Sequence, residues 1–167
     1  MKIKTIVKQI EQFDDCMISP PIGLPRLSEN HILPEDVKEF YQICGGIKLF
    51  EEKDFGVDIV SPEKFVLANP VIVNELCEYD ISSNWYIIAD DRNGDFLTMD
   101  LHKGRLGRCY DSHWDTHAVA GSCAIISNSF TELLSNLVET KGQGTTWFWD
   151  EDDFEPLGDA YDNLTNE

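Results

Sequence analysis

Residues 85–101, "WYIIADDRNGDFLTMDL", constrain the fold more than any other stretch of the chain. WYIIA is a short apolar run, and FLTMDL alternates apolar and polar residues, so both carry strand patterning. Between them Asp90, Asp91, Asn93, Gly94 and Asp95 form an acidic turn. Asn-Gly is a strong hairpin signal, because both central residues of a type I′ turn need positive φ. Aspartate suits turns and tolerates unusual backbone angles. The stretch therefore predicts an antiparallel hairpin with an acidic tip. "GRLGRCYD", after a Lys103-Gly104 turn, supplies a third antiparallel strand, and "HAVAGSCAIIS" is a candidate for another.

The same acids could in principle do chemistry. Aligned as a calcium loop with Gly94 at position 6, the segment puts Asp91, Asn93 and Asp100 at ligand positions, but Ala89 at the first. A first ligand and a following helix are both required, so no metal is expected. A pair drawn from Asp90, Asp91 and Asp95 suits a carboxylate-dependent hydrolase. The turn alone also accounts for them. His113 and His117 in "HWDTH" have the i, i+4 spacing of a zinc helix, yet Trp114 stands where a metalloprotease carries Glu. Gly-x-Ser-x-Gly and a Gly-rich phosphate loop are both absent. No catalytic residue and no cofactor are expected.

Helical spacing marks three further segments. Ile3, Ile6, Val7, Ile10 and Phe13 share one face and predict a helix over 3–13. "CMISPPIGLPRLSENHIL" reads as an irregular connector. In "LPEDVKEFYQICGG", Pro34 fits the first turn and Glu35 and Asp36 favour the positive end of the helix dipole. Val37, Phe40, Tyr41 and Cys44 form its buried stripe, and Gly45-Gly46 its stop. "IKLF" and "VDIV" suit strands, and Ser61-Pro62 opens a short helix or turn. "NSFTELLSNLVETKG" is the strongest helix, with Ser129 and Glu132 at capping-box spacing, an apolar stripe from Phe130 to Val138, and Gly142 as its end.

Charge narrows the partners. With 31 acidic and 13 basic residues among 167, the formal net charge is -18. Such a surface repels nucleic acid and anionic membranes and attracts basic proteins. The five cysteines lack the paired spacing of a disulfide framework or zinc knuckle and read as reduced thiols. No stretch approaches the ~20 apolar residues of a membrane span, and the N-terminus is too polar for a signal peptide. A cytoplasmic protein is expected. The tail from Thr145 holds eight of the acids, no basic residue, and several large aromatics. Those aromatics either dock back on the domain or join an acidic binding face around Trp149.

Four segments taken in order, "LPEDVKEFYQICGG", "WYIIADDRNGDFLTMDL", "GRCYDSHWD" and "SFTELLSNLVE", resemble the SUKH superfamily, over roughly Ile3 to Lys141. That group contains bacterial immunity proteins and a fungal cell-wall synthesis regulator. Asp90, Gly94 and Asp95 resemble its acidic glycine turn, and His113 the histidine after the next strand. Trp114 departs from the acidic residue frequent at the following position. The resemblance implies an α+β domain, with a twisted, mainly antiparallel sheet and helices packed against it. It would occupy residues 1–142, with 143–167 as an acidic aromatic extension docked on it. The resemblance also implies binding rather than catalysis. The leading expectation is an immunity-type protein that neutralises a toxin domain with a basic face, such as a nuclease. An intracellular scaffold or regulator is the alternative, and a hydrolase the third reading. Expected partner-binding residues are Asp111, Trp114 and Asp115, with Trp149, Asp150, Glu151, Asp152 and Asp153.

Overall fold

A computed structural model describes residues 2–28, 30–142 and 155–162. Seven strands form one antiparallel sheet in sequence order: β1 (Met17–Ile18), β2 (Ile47–Leu49), β3 (Val57–Ile59), β4 (Trp85–Asp90), β5 (Phe96–Asp100), β6 (Cys109–Ser112) and β7 (Ile125–Ser127). Four α-helices accompany it: α1 (Ile3–Ile10), α2 (Glu35–Ile43), α3 (Ala68–Ile72) and α4 (Phe130–Thr140). The architecture is the expected α+β domain, with an open sheet.

Alternation along a strand sends Trp85 and Tyr86 to opposite faces. The Tyr86 ring stacks on Phe65, which in turn meets Tyr41 of α2 edge-on. Tyr41 also donates its hydroxyl to the Val60 carbonyl at 2.7 Å. Phe40 meets Phe130 of α4, with ring centroids 4.9 Å apart. Helices α1, α2 and α4 pack on one another, burying Ile3, Ile6, Val7, Ile10, Leu133, Leu134 and Leu137. The Trp85 ring instead meets Tyr110, His117 and Tyr161. Residues 85–89 are buried throughout because β4 is covered on both faces. That explains an apolar run without alternation.

Several local expectations shift in three dimensions. Helix α1 stops at Ile10 rather than Phe13, because Gln12 and Phe13 close tighter bonds to Gln9 and Ile10. Phe13 still packs on the Phe50 ring. The Pro-rich connector contributes the short edge strand β1, paired with β2. His31 ties that connector down through Tyr86 Oη at 2.7 Å and Asn84 Oδ1 at 3.0 Å. A side chain on Gly45 would strike the Pro20 carbonyl, and Gly46 has φ 116. The diglycine step therefore lets the chain turn from α2 into β2 beside the connector. Helix α4 ends in left-handed Lys141, one residue before the expected Gly142.

At the far edge, residues 155–162 run beside β7. Ile125 N–H donates to the Gly158 carbonyl at 2.8 Å, and Leu157 N–H to the Ile125 carbonyl at 3.0 Å. Asp159 accepts from Cys123 N–H at 3.0 Å, and the Tyr161 hydroxyl donates to Asp80 at 2.8 Å. This pairing covers backbone groups that an edge strand would otherwise expose.

Candidate functional site

The β4–β5 hairpin is built as expected, but its tip uses different backbone chemistry. The loop is five residues long, from Asp91 to Asp95, and the positive φ angles fall at Arg92 (69) and Gly94 (91). Asn93 is not in that region, so the type I′ expectation for Asn93-Gly94 is corrected. Side-chain oxygens shape the loop instead. Asp90 Oδ1 accepts from Arg92 N–H at 2.7 Å. Asp91 Oδ1 accepts from Asn93 N–H at 2.8 Å and from Asp95 N–H at 3.1 Å. These short carboxylates satisfy main-chain donors beside the backbone bond that Asp91 N–H donates to the Asp95 carbonyl at 3.0 Å.

The tip meets the loop that follows β6. Asp95 Oδ1 accepts from Trp114 N–H at 2.8 Å. His113 Nδ1 lies 2.6 Å from Asp111 Oδ1, and its Nε2 lies 3.7 Å from Asp91 Oδ2. Burial of the imidazole works to lower its pKa. The Asp111 hydrogen bond and the charges of Asp111, Asp95 and Asp91 outweigh that, so His113 titrates above its ordinary value of 6.5. Among the described residues, Asp91, Asp95 and His113 are the group whose ligand atoms all lie within 4.8 Å of one another, a spacing that can hold a divalent cation. A protonated His113 places positive charge among the same carboxylates.

Arg92 does not point into this cluster. Its guanidinium folds back to Asp58, with Nη2 at 2.7 Å, and donates to the Leu49 carbonyl at 3.0 Å. The cation of the loop is thus spent on β2 and β3, and the tip keeps its negative charge.

Of the expected binding residues, Trp114 is 82% exposed and Asp115 is exposed. Asp111 is 1% exposed, so its carboxylate is enclosed and bonded to His113 rather than presented at the surface. Trp149, Asp150, Glu151, Asp152 and Asp153 lie outside the described residues.

His113 and His117 part company. Thr116 N–H and His117 N–H both donate to the His113 carbonyl, so the segment curls into a turn. The His117 ring points inward, with Nε2 2.6 Å from Asn69 Oδ1 and Nδ1 3.0 Å from Ser112 Oγ. Burial pushes its pKa down to about 4, which keeps it neutral. Since Asn69 Oδ1 can only accept, the proton sits on Nε2 and Nδ1 accepts from Ser112. A buried polar chain continues on either side. It runs from Thr98 through Ser112, His117, Asn69 and Ser82 to Asp80.

A second buried carboxylate, Asp100, is fully enclosed. Its Oδ2 accepts from Tyr110 Oη at 2.6 Å, Arg105 Nε at 2.7 Å and Trp85 Nε1 at 3.2 Å. Local spacing marks Asp100 only as a metal-loop position. Its Arg105 partner lies five residues on, and the pairing depends on the turn between β5 and β6.

A family model described as the SMI1 / KNR4 family (SUKH-1) matches residues 28–136. The chain belongs to that family, in keeping with the fold and with the acidic turn and histidine that the resemblance rested on. It is also 48% identical over 164 residues to "Immunity protein YokJ" of Bacillus subtilis (strain 168), covering 98% of each chain. No solved structure gives a significant match.

Proposed function

We propose that the protein is an immunity protein that binds a toxin domain and blocks it, without a catalytic step of its own. The observation that carries this is the 48% identity to an immunity protein across 98% of both chains. That identity extends beyond residues 28–136, the part that matches the family model.

The charge supports an electrostatic mode of action. A formal net charge of -18 favours a basic partner and disfavours nucleic acid and anionic membranes. A toxin that acts on nucleic acid holds phosphates with a basic face, and an acidic protein seated there excludes the substrate. The carboxylates of Asp90, Asp91 and Asp95 each accept from a main-chain N–H, which is the work of a loop cap. No helix among the described residues is long and apolar enough to cross a membrane, and the five cysteines are free thiols. Free thiols fit action in the cytoplasm, where cysteines are kept reduced.

Coexpression tests the proposal. A host carrying an inducible copy of the gene adjacent to this one should grow when the full chain is coexpressed and arrest without it. Arrest in both strains, with both proteins present in soluble form, would reject the immunity reading.

A further inference from the structure

Trp114 is exposed, yet it is not loose. Its backbone N–H is held by Asp95 Oδ1 at 2.8 Å. The residue before it, His113, is clamped at 2.6 Å to the buried Asp111. Two residues further on, Thr116 is 6% exposed, and its Oγ1 accepts from His113 N–H at 3.0 Å. The loop is therefore fixed on both sides of a large ring left 82% exposed to water. A main chain already fixed loses little conformational freedom on binding, and Trp is enriched among residues that dominate interfaces.

The surroundings select the partner. Asp95 holds the Trp114 main chain, Asp91 lies 3.7 Å from the neighbouring His113, and the exposed Asp115 follows in sequence, while Arg92 is turned away onto Asp58. We propose that Trp114 is the anchor by which this protein engages its toxin, entering an apolar socket whose rim carries lysine or arginine. Asp115 and the outward oxygens of the hairpin tip then face that rim. This assignment rests on the toxin-binding reading and adds the contact face. The rim chemistry follows from charge complementarity, since an acidic rim opposite these carboxylates would repel.

Tyr79 provides the internal comparison. It is fully exposed on the separate loop before the 3-10 turn Ile81–Asn84, and acidic Glu78 and Asp80 flank it. If any exposed aromatic among acids sufficed, Tyr79 would contribute equally.

The test titrates full-length protein, Trp114→Ala and Tyr79→Ala into a catalytically inactivated form of the adjacent gene's product that arrests growth in the coexpression test, by calorimetry. Trp114→Ala should raise Kd by at least about tenfold, with thermal unfolding unchanged because the ring is outside the core. Tyr79→Ala should bind within about twofold of the parent. Equal Kd for Trp114→Ala and the parent overturns the anchor while leaving toxin binding intact. No binding by the parent sinks the toxin reading itself, before any variant is made. Sedimentation supplies a further check: a parent dimer that Trp114→Ala converts to monomer would mean that a second copy occupies the ring, which also overturns the proposal.

Discussion

His113 is one imidazole among three carboxylates, and its ionisation is linked to folding. Its pKa is raised in the folded protein, although burial alone would lower it, because Asp111 bonds it and Asp111, Asp95 and Asp91 surround it with charge. A raised folded value means that the stabilisation is fully present below the unfolded value, about 6.5. It is lost as pH rises through the higher folded value. The gap in unfolding temperature between the parent and His113→Gln should therefore be widest in mildly acidic buffer and narrow toward alkaline pH. A gap that widens with pH would contradict this account. Asp100 poses a different problem, because three donors converge on one fully enclosed oxygen. Replacing it with Ala strands the Arg105 guanidinium and the Trp85 and Tyr110 donors. Losing one member of a buried pair costs about 3–5 kcal/mol, which in a domain of this size is roughly a 10 °C fall in Tm. Calorimetry of Asp100→Ala checks it.

Among the elements, α4 depends on a residue far away in sequence. Ser129 Oγ accepts from Glu132 N–H at 3.1 Å, as the capping-box spacing predicts. Asp36 Oδ2, in the first turn of α2, accepts from Thr131 N–H at 2.9 Å and from Thr131 Oγ1 at 2.8 Å. By position in the sequence, Asp36 serves the dipole of its own helix. In the folded chain it also caps the start of α4, so two helix N-termini share one carboxylate. Asp36→Ala should cost about 1–2 kcal/mol, with Asp36→Asn losing less because its amide oxygen still accepts. Denaturant unfolding of the two variants measures the difference. Equal stability of Asp36→Ala and the parent would remove the cap from the account.

At the scale of the whole molecule, charge governs encounter. On the proposed function, the net charge of -18 creates a field that draws a basic toxin domain in from beyond contact distance. Salt shortens that reach to about 10 Å at 0.1 M. Association with the toxin domain should therefore slow steeply between low and high salt, while dissociation changes little. Stopped-flow mixing across that range measures both rates, and a flat association rate would remove steering from the mechanism.

Periodicity was enough to identify α2, α4 and the β4–β5 hairpin, because each buries one local face and carries its own stop signal. The acidic tip was legible for the same reason, since Asp carboxylates near a turn accept from neighbouring N–H groups and Gly94 takes a positive φ. Other features required the folded chain. The inward turn of His117, the burial of Asp111, the shared cap at Asp36 and the pairing of residues 155–162 with β7 join groups distant in sequence. Local spacing records which side chains a helix or strand would bury, but it holds no record of which remote donor or acceptor will lie opposite a polar group. That choice is made only when the sheet and helices close around it, and desolvation then requires each enclosed polar atom to find a partner.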